Sequence, residues 1–453
     1  MEKDIHKIKN QLVGTIKEQC RVCYTCVREC PAKAIKISNG QAEVIPERCI
    51  GCGNCIKVCS QNAKFFRKEI DIAHQLTRSE SPCAAIIAPS FPAEFSEIKN
   101  HRLFVSLVRA LGFTYVSEVA FGADLVAAEY KKLMNAGNYP PVISSDCPAI
   151  VSYIEHYHPD LVDSLAHIDS PMVAMSKVMR AKYGEDLKIV FIGPCIAKKD
   201  ESDKIDAVLT FRELREMIAK TGLKPAQVTP SEFDPPLSGK GAIFPVSRGL
   251  LNTVGVKEDI FESSVIVAEG RSDFQEAIKE FESGQIAQEH LELLCCEGCI
   301  MGPGMSPYAY VSSNSKRYRK QASVSDYVIN KLENLDREQW QRDIDEYSKI
   351  DLFREFKSKD IRLPRPDEDE IKKVLQKMGK FEPSDHLDCG ACGYESCQDH
   401  AIAIIRGLAE HEMCLPYAIE NLHNYVRELN ISNEKLANTQ EALKQSEKLA
   451  GLG

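Results

Sequence analysis

The chain has 453 residues, 57 Lys and Arg against 66 Asp and Glu, and 18 cysteines. That length accommodates a large core and about two to four domains. A net charge of −9 lacks the basic face that nucleic acids and anionic membranes select.

The longest uncharged runs, Ser81 to Ala93 and Gly298 to Ser315, carry Pro, Gly and Ser, so neither reads as a membrane span. The opening Met-Glu-Lys-Asp-Ile-His-Lys has no signal-peptide core, and a cytoplasmic location is expected. Thiols stay reduced there, so the cysteines are expected to bind metal rather than pair as disulfides.

In chain order, the first element is a cysteine repeat. Cys20, Cys23, Cys26 and Cys30 precede Pro31, and Cys49, Cys52, Cys55 and Cys59 repeat the spacing 29 residues later, with Ser60 in place of Pro31. C-x2-C-x2-C-x3-C is the run of two-cluster ferredoxins, in which the fourth cysteine ligates the other cluster. Cys20, Cys23, Cys26 and Cys59 then hold one [4Fe-4S] cluster, and Cys49, Cys52, Cys55 and Cys30 the second. Zinc fits less well, because zinc ribbons present cysteines as separated pairs. Residues 1–78 are expected to form this ferredoxin-like α+β domain.

Residues 79–360 read differently. Cys147, Cys195 and the group Cys295, Cys296 and Cys299 share no local motif, yet each follows an apolar run: Pro141 to Ser145, Leu187 to Pro194 and His290 to Leu294. Such runs, alternating with helical segments at Ala123 to Met134, Ala149 to His156 and Ser272 to Glu282, predict an α/β sheet with three strand ends delivering cysteines to one crevice. Pro148 predicts Cys147 at a helix N-cap, where the dipole lowers a thiol pKa. Cys83, on an apolar strand, reads as core.

Residues 361–419 hold Cys389-Gly-Ala-Cys392-Gly-Tyr-Glu-Ser-Cys397 and, after 16 intervening residues, Cys414. A helix from His400 to Met413, with Ala401, Ile404, Ile405 and Leu408 on one face, would return the fourth thiol to the loop. The spacing resembles the small four-cysteine [4Fe-4S] domain found beside corrinoid proteins and in some redox sensors; four cysteines also suit zinc. In residues 420–453, Leu422, Leu429, Leu436 and Leu443 stand seven apart, a coiled-coil heptad whose other core positions are mixed and whose seam is therefore weak. The closing Ser446 to Gly453 resembles the stretch before the phosphoacceptor helix of sensor kinases. No kinase glycine motif occurs, and Ser238-Gly-Lys-Gly241 is too short for one.

With these residues in view, the chain resembles an [FeFe] hydrogenase of the sensory type. Ser144-Ser145-Asp146-Cys147-Pro148, Gly193-Pro194-Cys195-Ile196-Ala197-Lys198-Lys199-Asp200-Glu201 and Leu294-Cys295-Cys296-Glu297-Gly298-Cys299 resemble that family's three cysteine motifs, and Ala88-Pro89-Ser90 and Phe121 to Leu125 resemble its active-site segments. The resemblance implies an α/β H-cluster catalytic domain, preceded by the ferredoxin-like domain and followed by a small helical Fe-S domain and the coiled-coil signalling helix. It implies an H-cluster, a [4Fe-4S] cubane bridged through cysteine to a diiron unit with CO, cyanide and a dithiolate, and so four [4Fe-4S] clusters in all. By position Cys147 and Cys195 are cubane ligands and Cys299 the bridging one; Cys296 is favoured as the remaining ligand, with Cys295 the alternative register. Lys198 would bond one cyanide, and the Pro89 and Ser90 backbone the other.

The departures from the family concern protons. Asp146 replaces the cysteine that hands protons to the dithiolate amine, Tyr130 and Leu133 replace the two relay glutamates, and Met172 and Gly193 replace pocket neighbours of the diiron unit. Slow turnover is the expectation, because a positioned proton donor typically contributes about 10²- to 10⁴-fold. Asp146, Glu201 and Glu297 are candidate relays; Asp146 equally suits compensation of a helix dipole. The implied function is a ferredoxin-linked enzyme performing slow, reversible H2 oxidation, coupled to H2 or redox signalling. The implied partners are H2 and protons, a ferredoxin-like electron partner, hydrogenase maturation proteins, a second copy through the C-terminal helix, and a histidine kinase or other signalling protein, with no nucleic acid and no membrane. A sensor with negligible turnover and a hydrogenase-like Fe-S carrier without the diiron unit are the rival readings.

Overall fold

The computed structural model describes residues 11–38, 40–135, 140–255, 265–286, 289–306 and 317–450. The end of the Gly298 to Ser315 run and the closing Gly451 to Gly453 lie outside them. The chain divides into two units. One combines the chain up to Gln19 with Val44–Arg362, and the other combines Cys20–Glu43 with the chain from Leu363 onward. The ferredoxin-like stretch is thus shared between them.

In the first unit a parallel sheet runs in the order Tyr115–Glu118, Cys83–Ile87, Lys188–Gly193, Ala207–Thr210. All five residues of Cys83–Ile87 are buried, as a parallel strand covered on both faces requires. Helices Ala120–Asn135 and Pro171–Tyr183 pack closely because Gly122 lacks a side chain: a Cβ there would lie 2.4 Å from the Pro171 carbonyl oxygen. A capping box joining Thr210 to Glu213 starts helix Phe211–Thr221 at the sheet edge. Lys199, Glu69 and Glu213 form a buried ion pair group behind it, with Lys199 3.1 Å from Glu213.

The expectation of a single sheet is corrected. Val265–Glu269 and His290–Leu294 form a separate parallel pair, and the run before Cys147 is not a strand. Only Ile143 bridges, to Leu291 and Leu165, because Pro140 and Pro141 break the ladder and the chain turns at once into helix Pro148–Tyr157. Cys195 therefore comes from one sheet, and Cys295 to Cys299 come from another.

In the second unit helices Glu368–Lys377 and Cys397–Ile405 bury Ile371, Leu375, Met378, Ala401, Ile402 and Cys414 against each other. The expected helix from His400 to Met413 is corrected to Cys397–Ile405. Ser396 caps its start by accepting from the Asp399 N–H, Gly407 ends it with φ 68°, and a separate turn at His411–Met413 leads to Cys414. The chain ends in one helix, Leu415–Ala450, on which the four heptad leucines are 57 to 59% exposed. Among the described residues no helix is long and apolar enough to cross a membrane. An α/β core flanked by two cysteine-rich modules, with a long final helix, is the expected architecture.

Candidate active site

Three loops carry the central cysteines, and backbone contacts lock them together. Pro148 opens the helix that Cys147 caps. The Ser144 N–H donates to the Leu291 carbonyl, and its hydroxyl accepts from the Leu293 N–H, which ties this loop to the strand leading into Cys295. Gly302 and Gly304, just past Cys299, press on Pro194: a Cβ at either would lie 2.5 or 2.7 Å from its carbonyl oxygen, and the Gly304 N–H donates to that same oxygen at 2.7 Å. The loop of Cys195 is thereby fixed to that of Cys299.

The thiols of Cys147, Cys195, Cys296 and Cys299 are buried at one point of the fold. Burial pushes the pKa of each upward, to about 12 for Cys195, and their mutual repulsion pushes Cys195, Cys296 and Cys299 further. The expected dipole lowering at Cys147 is corrected: the amides of Cys295, Ile150 and Ala149 favour its thiolate, but desolvation outweighs them. Cys295 feels Cys147 and Cys296 as well, but its largest interaction is with Cys52. Its thiol is hydrogen-bonded to Cys52, which raises the Cys295 pKa and lowers that of Cys52. Cys83 is a core thiol, pushed up to about 12.

The polar groups expected beside the diiron unit are buried, or partly so in the case of Lys198. Ser90 is fully buried, and its hydroxyl has no partner among the described residues. The Lys198 ammonium lies 2.9 Å from the Ser170 hydroxyl, 2.6 Å from Glu201 and 3.4 Å from the Asp146 carbonyl. Burial alone would raise the Glu201 pKa; Lys198 and Arg354, the latter at 3.0 Å, reverse this and keep it low. A cavity of about 300 Å³ opens beside Glu201 and Arg354, with Cys49 and Glu155 on its wall. Met172 is fully buried, and Gly193 leaves its space to Phe191 and Ala88.

Asp146 is buried with one carboxylate oxygen unpartnered, and burial lifts its pKa to about 7 against the pull of Lys198 and Tyr130. Tyr130 accepts from the Ser145 N–H at 2.9 Å, whereas Leu133 only packs on the core. Glu297 is corrected: its side chain is 55% exposed and pairs with Arg317 at 3.8 Å. The sequence reading missed Glu292. This residue is 3% exposed, has an unpartnered oxygen, and is pushed up to about 8 by burial and by Asp146. A carboxylate inside the apolar run His290 to Leu294 was its only signal.

The ferredoxin-like runs fold alike. Val22, Tyr24 and Lys33 have φ of 48°, 59° and 45°, and Gly51, Gly53 and Asn62, each 29 residues later, have 68°, 68° and 53°. The Ala34 N–H donates to the Cys30 sulfur and the Ala63 N–H to the Cys59 sulfur, both at 3.3 Å, as suits sulfur that carries negative charge. Cys20, Cys23, Cys26 and Cys30 lie in the second unit, and Cys49, Cys52, Cys55 and Cys59 in the first. In the C-terminal module Cys389, Cys392, Cys397 and Cys414 line one pocket with Tyr394 and His400. Gly390 and Gly393, at φ 68° and 88°, supply its left-handed turns. Among the described residues no three metal-binding side chains converge on a single-ion position; a cubane spreads its thiolates over separate iron atoms, so its donors need no such convergence.

Residues 81–303 match the family "Iron only hydrogenase large subunit, C-terminal domain", residues 13–60 a "4Fe-4S dicluster domain", and residues 385–416 a family of Fe-S cluster domains. Iron hydrogenase 1 of Clostridium pasteurianum is 28% identical over 299 residues, which is 51% of this chain and 51% of the relative, so the chain spans about half the length of that relative. The cytosolic Fe-S cluster assembly factor NAR1 of Yarrowia lipolytica is 22% identical over 157 residues, 29% of this chain and 32% of the relative. Among solved structures, a variant of [FeFe]-hydrogenase HydA1 from Chlamydomonas reinhardtii shares the fold with a TM-score of 0.53 at 19% identity, covering 64% of this chain and 99% of that one.

Proposed function

We propose, for a chain that is an [FeFe]-hydrogenase-like protein with an N-terminal iron–sulfur domain and a C-terminal [4Fe-4S] domain, a sensory hydrogenase that turns over slowly. The observation that carries the reading is the joint burial of the Cys147, Cys195, Cys296 and Cys299 thiols. Four thiols gathered there would repel one another as thiolates, and a metal that takes them up in deprotonated form offsets both that repulsion and the loss of solvent. The unpartnered Ser90 hydroxyl is a second point of fit. A bound H-cluster supplies the diiron centre at which H2 becomes two protons and two electrons. Around it Lys198 donates a charge-assisted hydrogen bond to a cyanide, with Glu201 and Ser170 holding its ammonium. The Pro89 and Ser90 backbone serves the other cyanide, and Met172 and Ala88 exclude water. Asp146 holds a proton beside Tyr130 and Glu292, and the four-cysteine groups of the two flanking modules hold further clusters.

Protein matured with the hydrogenase maturation enzymes should contain about 18 iron atoms and show CO and cyanide infrared bands; without them it should contain about 16 and evolve no H2. Fully loaded protein lacking those bands after maturation would leave the carrier reading, to which the NAR1 similarity also points. A loaded preparation that stops at about 12 would remove one cluster, with zinc at Cys389 to Cys414 the first alternative.

The sensory role rests on the substituted relay positions and on the exposed heptad leucines of Leu415–Ala450. An unpartnered, weakly apolar seam suits a second copy or a signalling kinase, and two nearby helix registers can be rebalanced by a few kcal/mol. A ferredoxin-like protein is the electron partner. Spin labels at Lys444 should report a changed distance between paired helices when reduced protein meets H2. A distribution indifferent to H2, together with rapid turnover, would leave an ordinary ferredoxin-linked hydrogenase.

A further inference from the structure

The second unit joins two cysteine modules that are far apart in sequence. Gly393, beside Cys392, lies directly on the backbone of Arg28, two residues past Cys26: a Cβ on Gly393 would sit 2.5 Å from the Arg28 Cα. Lys33, three residues past Cys30, donates to the Gly393 carbonyl, and its ammonium lies 5.3 Å from the Tyr394 ring centroid. Tyr394 stacks on His400 at 5.5 Å, and His400 bonds the Glu410 carbonyl at 3.1 Å. Tyr24, next to Cys23, is partly buried and within the field of Glu410 and Glu412, the residues that lead into Cys414. Each side of this seam is thus made of residues adjacent to cysteines.

We propose that the seam of Arg28 and Lys33 against Gly393 and Tyr394 positions the C-terminal four-cysteine site beside the cluster that Cys20, Cys23 and Cys26 hold, as a redox-coupled pair. The charge state of one is then felt by the other and by the helix that starts at Leu415. The inference rests on the reading that both cysteine groups hold iron–sulfur clusters. Each cluster accepts one electron, so the two electrons from one H2, or from dithionite, can reduce both. Two added negative charges in a partly buried setting repel, so the second reduction is harder than the first. Lys33, the cation placed between the loops, moderates that repulsion. Gly393, Lys33 and Tyr394 are therefore positioning residues, and the glycine is required both by φ 88° and by the absence of room for a side chain.

The test is electron paramagnetic resonance of the iron-loaded full chain during stepwise dithionite reduction, with iron and zinc measured on the same samples. The C-terminal signal is the one that Cys397→Ser removes. In the wild type that signal should be broadened by spin coupling; Gly393→Val should sharpen it to an isolated cluster signal with unchanged integrated spin and iron. Lys33→Glu, which leaves the glycine backbone intact, should lower the potential of the pair, and Lys33→Arg should restore it. A C-terminal signal already isolated in fully loaded wild type, coupling that persists in Gly393→Val, or an unchanged potential in Lys33→Glu would overturn the proposal. Zinc at Cys389 to Cys414 would overturn the cluster reading itself, and the metal analysis tells that failure from the first.

Discussion

Cys296→Ser is expected to remove the central cubane, lowering the iron content of unmatured protein from about 16 to about 12 atoms per chain and abolishing H2 chemistry after maturation. Cys295→Ser is expected to leave that count intact. The physical reason lies in the neighbours of two adjacent side chains: both feel Cys147 and Cys52, but Cys195 acts on Cys296, whereas the largest interaction of Cys295 is its hydrogen bond with Cys52. Losing the Cys295 thiol removes that bond, so Cys295→Ser should instead shift the potential of the cluster that Cys52 ligates, since hydrogen bonds to sulfur tune cluster potentials. Iron analysis with a redox titration separates the two variants. The reverse pattern, in which Cys295→Ser loses the cubane, would establish the longer C-x3-C register.

The second large effect concerns the relay. With Asp146 as the remaining relay, Asp146→Ala should slow H2 turnover further, by less than the about 10²- to 10⁴-fold of a complete donor chain, with iron content and infrared bands unchanged. Asp146→Cys alone should not bring fast catalysis, because Tyr130 and Leu133 still stand where the next acidic groups would be. Glu292→Gln should slow turnover as well if protons pass on from Asp146, since Glu292, like Glu201, is a buried carboxylate within its field. The burial that raises the Asp146 pKa also works against folding. The native state keeps the proton up to about pH 7 while the unfolded chain loses it near its ordinary value, so stability falls as pH rises through that window. Asp146→Ala escapes this cost and should be no less stable at pH 8, which separates a catalytic loss from a folding defect. Turnover equal to wild type in Asp146→Ala would return the residue to compensating the helix dipole.

How far the sequence reached varies with the range of the interactions. The repeat of Cys20 to Cys30 at Cys49 to Cys59 specifies its own local turns, because a cysteine spacing and its left-handed positions are properties of a dozen residues. The N-cap position of Cys147 followed likewise from Pro148, and the covered strand Cys83–Ile87 from its unbroken apolar run. The long terminal helix was legible as a heptad. Only the tertiary structure decided the rest. Two sheets rather than one deliver Cys195 and the Cys295 to Cys299 group, and the Cys147 approach joins the second only through the Ile143 bridge to Leu291. Cys295 and Cys296, indistinguishable as neighbours in sequence, differ in what lies across the fold from each. Glu292 and Glu297 are both plain glutamates in the sequence, yet one is buried beside Asp146 and the other faces solvent with Arg317. The seating of Gly393 on Arg28 brings together residues more than 360 positions apart. Burial, charge repulsion and close backbone approach act between residues distant in the chain, and no spacing rule encodes them.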